Sequence, residues 1–114
     1  MMATDPSFLY IDDDSICRDI LQTILETIMG YQQVTYLENS QEFLTKIQQL
    51  PKIPTIIFMG IQVEPHSGYE MLQALRSDPV YKDVKVIAIT AFVMAHDVEK
   101  MKSMGFDGLI SKPI

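Results

Sequence analysis

Five short apolar runs, the first four each followed by residues at helical spacing, restrict this chain more than any other feature. The runs are "SFLYID" (7–12), "QVTYL" (33–37), "TIIFM" (55–59), "VKVIAIT" (84–90) and "DGLIS" (107–111). Several are apolar at consecutive positions, as strands of a parallel sheet buried on both faces must be. After the first run, Asp14 or Ser15 can cap a helix carrying Ile16, Ile20, Leu21, Ile24, Leu25 and Ile28, closed by Gly30. Asn39 and Glu42 have capping-box spacing ahead of Phe43, Leu44, Ile47 and Leu50, and Pro51 and Pro54 end that helix. Ser67 and Glu70 repeat the box before Tyr69, Met71, Leu72 and Leu75, with a stop near Pro79. Met94, Val98, Met101 and Met104 share one face of a fourth helix that Gly105 terminates.

Strand–helix alternation of this kind predicts an α/β domain: a doubly wound, five-stranded parallel sheet with helices on both faces. Right-handed crossovers favour the strand order 2-1-3-4-5, with ligands beyond the carboxyl ends of strands 1 and 3. At 114 residues the chain is read as one domain, 1–114. Its net charge of −6 opposes a nucleic-acid surface, which needs a basic patch. No apolar run has the length of a membrane span and no export signal opens the chain, so a soluble, cytoplasmic protein is expected. The single cysteine, Cys17, falls among apolar helix positions and reads as a buried side chain.

The fold rule directs attention to the strand ends. Strand 1 delivers Asp12, Asp13 and Asp14, three adjacent acids that repel one another and call for a cation, either a metal or a lysine. Strand 4 ends in Thr90-Ala91, and strand 5 is followed by Lys112-Pro113. Taken singly, these are a helix cap, a good β-former and a surface lysine.

Taken together, "YIDDDSICRDIL" (10–21), "TIIFMGIQ" (55–62), "SGYEML" (67–72), "VIAITAF" (86–92) and "GFDGLISKPI" (105–114) resemble the receiver domain of two-component response regulators. The resemblance runs from Ser7 to the last residue and implies a flavodoxin-like fold. It also implies a signalling module rather than an enzyme, one that receives a phosphoryl group from a histidine kinase on an aspartate ending strand 3. By the same resemblance Asp12, Asp13 and the backbone carbonyl of Gln62 hold Mg²⁺. Thr90, beside Ala91, bonds a phosphoryl oxygen, and Lys112 pairs with the phosphorylated carboxylate. Met94, Val98 and Leu109 lie on the family's signalling surface, with Leu109 where many members carry an aromatic switch residue.

One departure decides the expected chemistry. Gly60 stands where the family places its phosphoacceptor aspartate, and Gly68, eight residues on, matches the family's glycine and fixes the register. Val63 and Glu64 replace the common Met-Pro, and Pro65 comes one position late. Glycine offers no carboxylate nucleophile, so ordinary phosphotransfer is expected to be absent and Mg²⁺ to bind weakly. Lys112 is expected to turn towards Asp13 instead. His66 and His96 are nucleophiles of a suitable type, although loop histidines are more often polar surface residues.

The chain stops at Ile114, before the family's fifth helix. Apolar surface around the first helix is then left for a cover, either a second copy or another signalling protein. The leading reading is a receiver that binds partners without accepting a phosphoryl group. The alternative is an ordinary Mg²⁺-dependent regulator in which position 60 has changed from Asp to Gly and the end is truncated. A flavin carrier on the same fold is disfavoured, because "DDDS" repels phosphate where a cradle of Gly, Ser and Thr is needed.

Overall fold

A computed structural model describes residues 6–91 and 94–112. Its sheet has five parallel strands, β1 (Phe8–Ile11), β2 (Val34–Leu37), β3 (Ile56–Gly60), β4 (Lys85–Thr90) and β5 (Gly108–Ser111), in the expected order β2-β1-β3-β4-β5. Four helices occur among the described residues: α1 (Ser15–Gln22), α2 (Phe43–Gln48), α3 (Gly68–Arg76) and α4 (Ala95–Met104). Parallel registers run from Phe8 opposite Ile56 to Ile11 opposite Met59, and from Ile57 opposite Val86 to Gly60 opposite Ile89.

Period-two alternation sorts the strand residues into two cores. Leu9, Ile11, Ile57, Met59, Val86 and Ala88 face α2, α3 and α4 and pack with Phe43, Ile47, Leu72, Leu75, Met101 and Phe106. Phe8, Tyr10, Phe58 and Ile89 face the other way, onto Cys17, Leu21 and Leu25 of the first helix. Cys17 is buried there, as its neighbours predict, and burial pushes its thiol up.

The helix ends follow local chemistry, with one correction. Asp14 caps α1, its carboxylate accepting from the N–H groups of Ile16 and Cys17 at 3.1 Å. Ser67 caps α3 by accepting from Glu70 N at 3.2 Å. Gly105 closes α4 with φ +114°, a conformation few other residues adopt. The capping box expected of Asn39 and Glu42 does not form. Asn39 Oδ1 instead accepts from Gln41 N at 2.9 Å, an Asx turn, and Glu42 takes a left-handed φ of +53° before α2 begins.

The stripe of the first helix also needs correcting. After Gln22 the helix widens into a π-type segment, Thr23–Ile28, which shifts the angular register of the residues beyond it. Cys17, Leu21 and Leu25 form the buried row, whereas Ile16 and Ile28 are 71% and 73% exposed. No helix follows β5 among the described residues.

Candidate functional site

At the carboxyl ends of β1, β3 and β4 lies a polar cavity of about 420 Å³, lined by Asp13, Asp14, Gln62, Ile89, Thr90, Ala91 and Lys112. Each reaches it because its strand stops there: Asp12 to Asp14 follow β1, Gln62 follows β3, Thr90 ends β4 and Lys112 follows β5. Lys112 N also donates to Thr90 O at 2.9 Å, holding the end of β5 against that of β4.

The lysine makes the central contact. Lys112 Nζ lies 2.9 Å from Asp12 Oδ2 and 3.2 Å from Asp14 Oδ2. The expected pairing with Asp13 is therefore overturned. Asp13 is exposed at the rim of the cavity, while its two neighbours hold the ammonium. Asp12 is 1% exposed and takes two further donors: Tyr10 Oη donates to Oδ2 at 3.1 Å and Asp14 N to Oδ1 at 3.3 Å. A buried carboxylate requires such partners.

Charge and burial set the protonation states. The N–H of Cys17 donates to Asp14 and, with Lys112 beside it, holds that carboxyl down at about 2. Burial works against the Lys112 ammonium, but Asp12 and then Asp14 outweigh it and raise its pKa. Partial desolvation and the adjacent Asp12 carboxylate raise Asp13. Burial, then the charge of Asp12, pushes the Tyr10 phenol well above its ordinary value.

Gly60, the last residue of β3, is packed against this cluster. An ideal Cβ at Gly60 would lie 2.9 Å from Val63 Cγ2 and 3.0 Å from both Cγ and Oδ1 of Asp12. The Asp12 carboxylate and the Val63 side chain thus fill the space where a side chain at 60 would begin. Gly68 is needed for a related reason, since a Cβ there would come within 2.6 Å of Gly60 O. Its own N–H donates to Ile61 O at 2.9 Å, folding the loop tightly over the strand end.

Of the other residues singled out, Thr90 is buried and lines the cavity. Met94 is exposed, while Val98 and Leu109 are half-buried. Pro113, Phe92 and Ile114 lie outside the described residues. The histidines stand apart from the acidic cavity. His66 Nδ1 sits 3.1 Å from Glu70 Oε2 on a groove between α2 and α3, and His96 Nε2 lies 3.4 Å from Asp97 on the α4 surface. Among the described residues, no three His, Cys, Asp or Glu side chains converge as a metal cage.

Two participants escaped the sequence reading. Tyr10 is two residues before Asp12, and period two placed both on one side of β1, so its contact was open to inference. The second task of Asp14, holding Lys112, joins residues 98 apart and left no local signal.

Comparison with known proteins agrees with this architecture. Residues 8–114 match the response regulator receiver domain family. The chain is 31% identical over 108 residues to the polar-differentiation response regulator DivK of Brucella anthropi, covering 95% of this chain and 85% of that protein. It is 28% identical over 110 residues to stress response regulator protein 1 of Scheffersomyces stipitis, spanning 95% of this chain but only 37% of that longer protein. Among solved structures, the chemotaxis response regulator CheY4 of Vibrio cholerae superposes with a TM-score of 0.81 at 24% identity, over 97% of this chain and 89% of that one. The N-terminal domain of a response regulator receiver protein from Methanoculleus marisnigri gives 0.78 at 26% identity, covering 94% and 84%. With its sheet order, its acidic strand end and its strand-5 lysine accounted for, the chain belongs to the response regulator receiver domain family.

Proposed function

We propose that this receiver domain works in two-component signalling as a protein-binding module that does not take up a phosphoryl group. The observation that carries the reading is Gly60. It ends β3 beside Asp12 without a carboxylate, and the neighbouring side chains already fill the space at its Cα. Acyl phosphate formation needs a carboxylate oxygen free to attack phosphorus. Asp12 is a poor substitute, because it is buried and engaged by Lys112, Tyr10 and the Asp14 amide. His66 and His96 lie outside the cavity that Thr90 and Lys112 line. The partner is then a histidine kinase or another signalling protein, engaged through the face of α4 and β5 that carries Met94, Val98 and Leu109.

Receiver domains typically hold Mg²⁺ at this acidic pole. The residues present fit it poorly, because an ammonium lies against two of the three aspartates. What remains is the exposed Asp13 and the carbonyl of Gln62, too few oxygens for a tight site. Among the described residues no helix is long and apolar enough to cross a membrane.

The test is incubation of the protein with acetyl phosphate and Mg²⁺, followed by intact mass spectrometry, with DivK of Brucella anthropi carried in parallel. No phosphoryl adduct is expected on this chain. An adduct mapped to any residue of the cavity overturns the proposal.

A further inference from the structure

The disagreement between this pole and a divalent cation has a specific cause. Lys112 bridges Asp12 and Asp14 from the far side of the sheet, and its ammonium rests where two carboxylates converge. Asp12 Oδ2 takes the ammonium and the Tyr10 hydroxyl, while Oδ1 takes the Asp14 amide. Three of its ~four acceptor sites are thus committed within the protein. Gly60 completes the arrangement, since a side chain there would collide with Asp12 where the carboxylate now stands. Asp14 has the same divided use, capping α1 through Oδ1 and holding Lys112 through Oδ2.

We infer that the Lys112 ammonium serves as the built-in cation of this acidic pole and keeps divalent ions out. The inference deepens the proposed function and rests on it to the extent that Gly60 contributes no competing carboxylate. A hard divalent ion needs several oxygens at once, and it gains Asp12 and Asp14 only by displacing an ammonium tethered to the same chain. The ion pair needs no such assembly, being supplied when β5 docks. The acidic cluster thereby holds its shape whatever the Mg²⁺ concentration, unlike a site that only an added ion can neutralise.

Three variants decide it, read by thermal melting and by calorimetry with Mg²⁺, and by Mn²⁺ spin resonance as an independent probe. The wild-type protein is expected to melt at the same temperature in chelator as in millimolar Mg²⁺. Lys112→Met and the milder Lys112→Gln leave Asp12 and Asp14 unneutralised, so both melt lower in chelator and recover when Mg²⁺ is added. Their affinity for Mg²⁺ rises by about tenfold or more, as expected when two carboxylates are returned to the site. Lys112→Arg retains the charge and restores indifference to Mg²⁺. If Lys112→Met is unfolded, Lys112→Gln supplies the reading. The inference fails if wild type binds Mg²⁺ as tightly as the neutral variants, or if the folded neutral variants gain no affinity. Phosphoryl labelling of wild type fails or succeeds independently of these melts, so the two readings can fall separately.

Discussion

Position 60 is where a single atom has the largest consequence. Restoring a side chain is not a matter of filling an empty place, because Val63 Cγ2 and the Asp12 carboxyl lie within 3.0 Å of the missing Cβ. Gly60→Ala is expected to destabilise by about 1–3 kcal/mol through overpacking, more than the ~0.5–1 kcal/mol by which alanine is ordinarily favoured over glycine in a strand. Gly60→Asp should cost more, since it sets a second carboxylate against buried Asp12. Denaturant melts of both variants check the order; an Asp variant as stable as wild type in the absence of divalent ions contradicts it. At this scale the sequence was partly legible. Asp12, Asp13, Thr90 and Lys112 announced themselves by their places at strand ends. Which acid Lys112 chooses was not announced, because that depends on side-chain direction after β1: Asp12 and Asp14 hold the ammonium at 2.9 and 3.2 Å.

Among the elements, one arginine joins four. Arg76, in the last turn of α3, donates through Nη1 to Lys82 O at 3.0 Å and Val84 O at 2.7 Å. Through Nη2 it donates to Gly105 O at 2.7 Å and to Asp107 Oδ2 at 3.0 Å. It thereby ties the end of α3 to the entrance of β4, the end of α4 and the entrance of β5. Hydrogen bonds to a charged group contribute about 1.5–3 kcal/mol each at most and are not additive, so Arg76→Ala is expected to cost roughly 2–4 kcal/mol. Arg76→Lys should recover little, because an ammonium lacks the planar fork that reaches four acceptors. Equilibrium unfolding of the two variants tests both statements. No local pattern revealed this hub, whereas the elements it joins were visible from periodicity and caps. The sequence reading went astray where a turn competed for a capping residue, at Asn39, and where a π-type segment broke the 3.6-residue repeat, after Gln22.

For the whole molecule, sheet order and the two-sided core were readable because strand composition and crossover handedness leave few alternatives. The global response to alkali follows from phenols that the fold holds protonated. The Tyr36 hydroxyl donates to Glu26 Oε2 at 2.7 Å, and burial followed by that carboxylate raises its pKa well above the ordinary value. A group raised in the folded state stabilises fully below its unfolded pKa, about 10 for tyrosine, and the contribution is lost as pH rises further. Stability should therefore fall as pH passes above that value, and Tyr36→Phe should make the decline shallower. Urea titrations at stepped alkaline pH measure the slope; an unchanged slope in the variant refutes the assignment.

The bridge from Lys112 also bears on how the sheet comes apart. Among the described residues β5 is an edge strand, paired with β4, and two strands separate it from β1. Its exit is nonetheless moored to the loop after β1 by the ammonium. An edge strand that would otherwise fray alone is thus coupled to the centre of the sheet, so the ladder-bonded amides of β5 are expected to exchange with deuterium more slowly in the wild-type protein than in Lys112→Gln.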